Sequence, residues 1–205
     1  MAFFDQQLIQ GVRHIRGCVD QGAIEIDQNR RAAIARLMKA QTSAEQGFPR
    51  ADLSLTGRDD TVTPETADAL AARYHDTRGR DLQAGRTLAG PHRADLFATY
   101  IAKSLDARQC STGEQKALLI SLILANARAI TQEHGAPPLI LLDEVAAHLD
   151  TARRSALYDA ICALDAQAWM TGTDAGLFQA LAGRATFYEV TETAEGSLAI
   201  QREVT

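Results

Sequence analysis

Lysine is nearly absent: Lys39, Lys103 and Lys116 are the only three, and the remaining basic side chains are arginines. Arginine suits planar contacts with carboxylates and phosphates, and GC-rich coding gives the same bias. There is no excess of positive charge. The formal net charge of −5 provides no bulk attraction to polyanions and argues against a general nucleic-acid coat. Cysteine is scarce: Cys18, Cys110 and Cys162 are odd in number, far apart and without a C-x-x-C spacing. This excludes a disulfide framework and a cysteine zinc site, and fits a reducing, cytoplasmic setting. Met1 to Gln7 lacks the basic and apolar regions of a signal peptide. No run approaches the roughly 20 apolar residues of a bilayer span, so no membrane partner is expected. Also missing is any Gly-Lys pair, and with it the G-x-x-x-x-G-K-[ST] loop whose backbone N–H groups and lysine cradle phosphates. In the nearest candidate, Gly79 to Thr87, the glycines are one residue too far apart and Arg86 replaces lysine.

What is present fits one sizeable domain with an appendage: 205 residues, 46% apolar. Leu8, Val12, Ile15 and Val19, then Ile26, Ile34 and Leu37, follow the period of one amphipathic helix or a pair. Gly11, Gly17 and Gly22 each cost such a helix about 1 kcal/mol relative to Ala, so it needs a partner surface. Asp27 and Arg31 are spaced for an i,i+4 ion pair. Gly47-Phe48-Pro49 breaks the pattern, and Ala51 to Thr56 alternates like a half-buried strand. Pro64 and Glu65 suggest a helix start, with Leu70 and Tyr74 on one face. Residues 1–57 are thus expected to form a helical appendage with a trailing strand, and residues 58–205 the main domain. Thr87 to Asp95, turned by Gly90-Pro91, is expected to join two strands, the second near Leu96 to Ala102.

The chemistry-bearing stretch runs from Cys110 to Asp150. Ser111-Thr112-Gly113-Glu114 has the form of a capping box, in which Ser111 and Glu114 satisfy each other's backbone N–H. That leaves Gly113 and Gln115 unexplained. A glycine in the first turn permits close approach of a ligand, and exposed N–H groups at a helix start favour anions. Leu118, Leu119, Leu122 and Ile123 should pack this helix on a sheet. Leu139 to Leu142 reads as a central parallel strand buried on both faces, ending in Asp143-Glu144, where open α/β sheets place ligands. Paired carboxylates there call for a compensating cation or hydrogen bonds. Asp150 is placed as N-cap of a helix with Leu157, Ile161 and Leu164 on its buried face. Gln167 to Thr171 should be the next strand with Trp169 in the core, and Phe187 to Thr191 with Ser197 to Gln201 a closing hairpin.

Taken together, Ser111-x-Gly113-x-Gln115, the strand ending in Asp143-Glu144, and His148-Leu149-Asp150 resemble the signature, Walker B and D-loop of an ABC-type ATPase head. With Thr87-Leu88-Ala89-Gly90-Pro91-His92-Arg93-Ala94-Asp95 and Thr171-Gly172-Thr173-Asp174 added, the text resembles the C-terminal portion of the RecF family of bacterial DNA replication and repair proteins, from about Phe48 onward. The resemblance implies an α/β fold, the C-terminal half of an ABC-type head, with the Gly113 turn and the Asp143-Glu144 acids around the rim of one sheet. It implies ATP and Mg²⁺ as cofactors. Asp143 would hold Mg²⁺ through water, and Glu144 would position or deprotonate the attacking water. Ser111, Gly113 and Gln115 would contact, in trans, the γ-phosphate held by a partner head. Asp150 would touch the partner's site, and Thr173 stands where many ABC ATPases keep a switch histidine. Implied partners are single-stranded or gapped DNA, a second head or an N-terminal half, and the mediators RecO and RecR. Without Walker A, this stretch is expected to bind and hydrolyse ATP weakly or not at all by itself. Two other readings stand beside it: an ABC transporter ATP-binding subunit, which usually carries a switch histidine, and a noncatalytic module that docks on an intact head.

Overall fold

The computed structural model describes residues 2–42, 47–57, 66–194 and 196–202. Helix α1 runs unbroken over Ala2–Thr42, a single rod of about 60 Å at 1.5 Å per residue. Gly22 does not break it. The rod is held by partner surfaces at two places. Ala23 and Ile24 pack with Ala67, Leu70 and Tyr74 of helix α2 (Ala67–Ala84), while Ile34, Leu37 and Met38 join a second cluster nearer the C-terminal end. Val19 and Ile26, expected on the apolar stripe, are exposed. The side chains of Leu8, Val12 and Ile15, like Pro64 and Glu65, lie outside the described residues. Asp27 and Arg31 pair at 2.6 Å as spaced.

The end of α1 is fastened to strand β1 (Ala51–Gly57) by a buried side chain. Gln41 Nε2 donates to the Ala51 carbonyl at 3.1 Å, and the Ala51 N–H donates to Gln41 Oε1 at 2.8 Å. Strand β1 alternates as its sequence dictates, with Ala51 and Leu53 buried and Asp52 and Ser54 exposed. It pairs antiparallel with β2 (Ala94–Tyr100), which pairs antiparallel with β3 (Leu105–Asp106).

The Gly90-Pro91 segment joins α2 to β2, not two strands: Gly85 caps α2 in the left-handed conformation and Pro91–Arg93 form one 3₁₀ turn before β2. Gly90 has φ 117°, and a Cβ there would come within 2.5 Å of the Tyr74 hydroxyl. Only glycine meets both conditions. His92 closes the loop through a ring nitrogen 2.9 Å from the Thr87 carbonyl.

Helix α3 (Thr112–His134) ties the two halves of the fold together. Leu118 and Leu122 pack with β1 and the turn at Cys110, while Ile120, Leu124 and Ala127 pack with a second sheet. That sheet is a parallel pair, β4 (Ile140–Leu142) and β5 (Ala168–Met170), connected through helix α4 (Thr151–Ala163). Leu157, Tyr158 and Ile161 of α4 complete its core. Strands β6 (Phe187–Thr193) and β7 (Gly196–Arg202) close the described chain as an antiparallel hairpin.

Three burial expectations are corrected. Leu119 and Ile123 are exposed; the buried face of α3 is Ala117, Ile120, Ser121 and Leu124, with Leu118 beside it. The run of leucines concealed this, because small Ala117 and Ser121 let the helix approach its neighbours where bulk was expected. Strand β4 buries Ile140 and Leu142 but exposes Leu141, because no described element covers that face. Trp169 is 56% exposed for the same reason. The Gly113 turn and the acids also do not share a sheet. The first follows β3 in the three-stranded sheet and the second ends β4 in the parallel pair. At 23 residues, α3 is about 34 Å long and β4 only about 10 Å, so the strand returns along a fraction of the helix.

Candidate nucleotide-handling site

Ser111 is the N-cap of α3, and the reciprocal capping box is complete. Ser111 Oγ accepts from the Glu114 N–H at 3.4 Å, and the Ser111 N–H donates to Glu114 Oε2 at 2.9 Å. Sequence reasoning did not anticipate that Lys103 also grips Glu114, through Oε1. This lysine contact first, then the Ser111 N–H and hydroxyl, hold the Glu114 carboxyl down at about 2; the Lys103 ammonium is raised in turn by Glu114. Gln115 is fixed as well. Its amide donates to the carbonyls of Ala107 and Arg108 at 2.9 and 3.3 Å, tying the preceding 3₁₀ turn to the helix. Gly113 faces open space, since a Cβ built there meets nothing within 4 Å. Among the described residues nothing therefore requires glycine, although its helix propensity is about 1 kcal/mol worse than that of Ala.

At the other sheet, Asp143 and Glu144 follow the C-terminal end of β4. Register pairs Leu142 with Met170, which brings the next residues, Asp143 and Thr171, side by side. The Thr171 hydroxyl donates to Asp143 Oδ1 at 2.5 Å and accepts from the Glu144 N–H at 3.0 Å. One side chain thus fixes a carboxylate and the backbone beside it. Glu144 adopts φ 53°, a left-handed conformation that disfavours a side chain by about 1–2 kcal/mol and turns the chain sharply off the strand. Thr171 is the residue sequence reasoning missed; its signal was the strand-end position opposite a strand-end acid. Behind it Gly172 is confined, because a Cβ would meet the Phe178 ring at 2.9 Å.

Asp150 caps α4, its Oδ1 accepting from the Arg153 N–H at 2.8 Å, with the Arg153 guanidinium 3.7 Å from Oδ2. Thr173 is exposed on the loop after β5. The structure thus brings Asp143, Glu144 and Thr171 together, keeps Thr173 on the same loop as Thr171, and leaves Ser111, Gly113 and Gln115 as a separate exposed turn. Among the described residues no cluster of three or more His, Cys, Asp or Glu could hold a metal. Magnesium does not need one: it keeps several waters and takes one or two carboxylates plus phosphate oxygens, which Asp143 fits. No helix among the described residues is long and apolar enough to cross a membrane.

No family model matches the chain. Known proteins do. The DNA replication and repair protein RecF of Rhizobium etli (strain CIAT 652) is 42% identical over 193 residues, covering 92% of this chain and 51% of that protein. The RecF of Agrobacterium fabrum (strain C58 / ATCC 33970) is 52% identical over 147 residues, 70% of this chain and 39% of its own length. This stretch belongs to the RecF family. The chain spans about half the length of these RecF relatives, and the half it matches is the C-terminal one. Among solved structures, that of the recombination mediator protein RecF-ATP in the RecFOR pathway superposes with a TM-score of 0.61 at 22% identity, over 78% of this chain and 43% of that one. A structure concerned with ATP-driven dimerization of SMC ATPases gives 0.50 at 16% identity, over 88% and 89%. At these identities the likeness establishes the fold alone, that of the C-terminal half of an ABC-type ATPase head.

Proposed function

We propose that these residues form the C-terminal part of a RecF-type, ATP-dependent DNA clamp used in replication and recombinational repair. Residues 1–57 serve as the arm with its trailing strand and residues 58–205 as the head portion. The observation that carries the reading is the Thr171 hydroxyl bridging Asp143 and the Glu144 N–H at the end of a parallel strand, which fixes an exposed acid and the half-buried one beside it. In this reading Asp143 would hold Mg²⁺, whose charge would neutralise phosphate oxygens. Glu144, held by the φ 53° turn, orients the attacking water and takes its proton. The separation of the Gly113 turn from the acids fits a signature that acts in trans: Ser111 and the open backbone at Gly113 face a γ-phosphate on a second head, and Gln115 is held beside them. Asp150 and Thr173 complete that interface. Single-stranded or gapped DNA, with RecO and RecR, would be the ligands of the assembled clamp in the cytoplasm.

The test reconstitutes the head. Joined to the N-terminal half of Rhizobium etli RecF, the chain should turn over ATP, and Glu144→Gln should retain ATP binding while losing turnover at least 100-fold. Equal turnover by the wild type and the Glu144→Gln protein would defeat the assignment.

A further inference from the structure

The capping glutamate of α3 is held by one group that no capping box supplies. Glu114 Oε2 accepts from the Ser111 N–H at 2.9 Å and from the Ser111 hydroxyl at 2.8 Å, while Oε1 takes the Lys103 ammonium. Lys103 ends the 3₁₀ turn Ile101–Lys103, which the Ile101 N–H fastens to the Arg50 carbonyl ahead of β1 at 3.0 Å. The lysine thus reaches the helix start from the three-stranded sheet. Its side chain is 53% exposed and that of Glu114 18%, and an exposed ion pair contributes little to stability. Its position gives it another use. Glu114 follows directly on Gly113, which faces open space, and so puts a negative charge where Ser111 and Gly113 are proposed to meet a γ-phosphate. The lysine contact first, then the Ser111 donors, keep that carboxyl ionised well below the ordinary range. Arg108 on the preceding turn is committed to Asp106, so among the described residues the offset falls to Lys103. The Ser111 hydroxyl proton is engaged on Glu114 as well, and can reach a phosphate only by turning away from that carboxylate.

We propose that Lys103 and Glu114 are positioning residues for the signature turn: the ammonium cancels the glutamate's charge beside the incoming triphosphate, and stays on the carboxylate when the Ser111 hydroxyl turns to a phosphate oxygen. Without the lysine, carboxylate and phosphate face each other as like charges, which opposes association of the two heads. The inference rests on the proposed action of the signature in trans. It does not need Glu144 to be the base.

The test follows ATP-dependent pairing of heads by sedimentation. The protein is the chain joined behind the N-terminal half of Rhizobium etli RecF and carrying Glu144→Gln. Lys103→Met should weaken pairing by about tenfold or more, and Lys103→Arg should retain most of it. Higher salt should narrow the gap between Lys103→Met and its parent, because the repulsion is screened. Adding Glu114→Gln to Lys103→Met should recover most of the lost pairing, since glutamine keeps the capping contacts without the charge. Undiminished pairing in Lys103→Met overturns the inference. So does a double variant that pairs no better than Lys103→Met, since the contact would then be a structural strap. An absence of ATP-dependent pairing overturns it too; if the joined protein with Glu144 intact still turns over ATP, the Glu144 assignment stands. Lys103-dependent pairing in a protein that hydrolyses ATP equally with glutamate or glutamine at position 144 leaves this inference standing and removes that assignment.

Discussion

At the scale of single residues, Thr171, Gly113 and Glu114 separate fold from function. Thr171→Val removes both hydrogen bonds of an exposed bridge, so it should cost only about 1 kcal/mol in unfolding free energy while lowering ATP turnover of a reconstituted head at least tenfold; Thr171→Ser should retain most of it. Gly113→Ala is expected to stabilise α3 by up to about 1 kcal/mol in chemical denaturation, because the added methyl meets open space; loss of turnover despite that gain would expose the glycine's use outside this chain. Glu114 supplies a pH signature. Its carboxyl falls from an ordinary 4.5 to about 2 in the folded chain, so its contribution to stability is complete above 4.5 and lost as pH falls towards 2. Glu114→Gln should flatten that part of the stability profile in thermal melts at stepped pH. The capping pair was legible in sequence from spacing alone, and so were the acids. Lys103 and Thr171 were not, because each reaches its partner only after a turn or a strand pairing has been made.

At the scale of elements, the strand β1, the helix after the signature, the parallel strand before the acids and the closing hairpin follow from alternation, capping and turn residues. Burial was less legible than element type. The pattern of α3 offered two apolar faces, and the choice between them depended on which neighbours could approach Ala117 and Ser121 closely. The exposure of Trp169 and Leu141 has a different origin: their sequence specifies a covered strand, and no described element covers that face. Ile120→Ala, which hollows the core between α3 and β4, should cost about 2–5 kcal/mol. Leu119→Gln on the exposed side of the same helix should stay within about 0.5 kcal/mol. Gln41→Ala, which strands the buried N–H and carbonyl of Ala51, should lower stability by about 1–3 kcal/mol in the same denaturant series.

For the molecule as a whole, α3 sets the acids and the signature turn on different sheets, an arrangement that the expectation of a single rim missed. Under the proposed action of the signature in trans, that separation would let each part face a different nucleotide. The proposed function makes nucleotide binding depend on a further segment: Ser111, Gly113, Asp143, Glu144 and Asp150 are positioned here, while a G-x-x-x-x-G-K-[ST] loop has no counterpart in these 205 residues. Calorimetric titration of ATP with Mg²⁺ measures this dependence most directly, into the chain alone and into the chain joined to the N-terminal half of Rhizobium etli RecF. The proposed function predicts no micromolar binding to the first and micromolar binding to the second; micromolar affinity of the chain alone would contradict it.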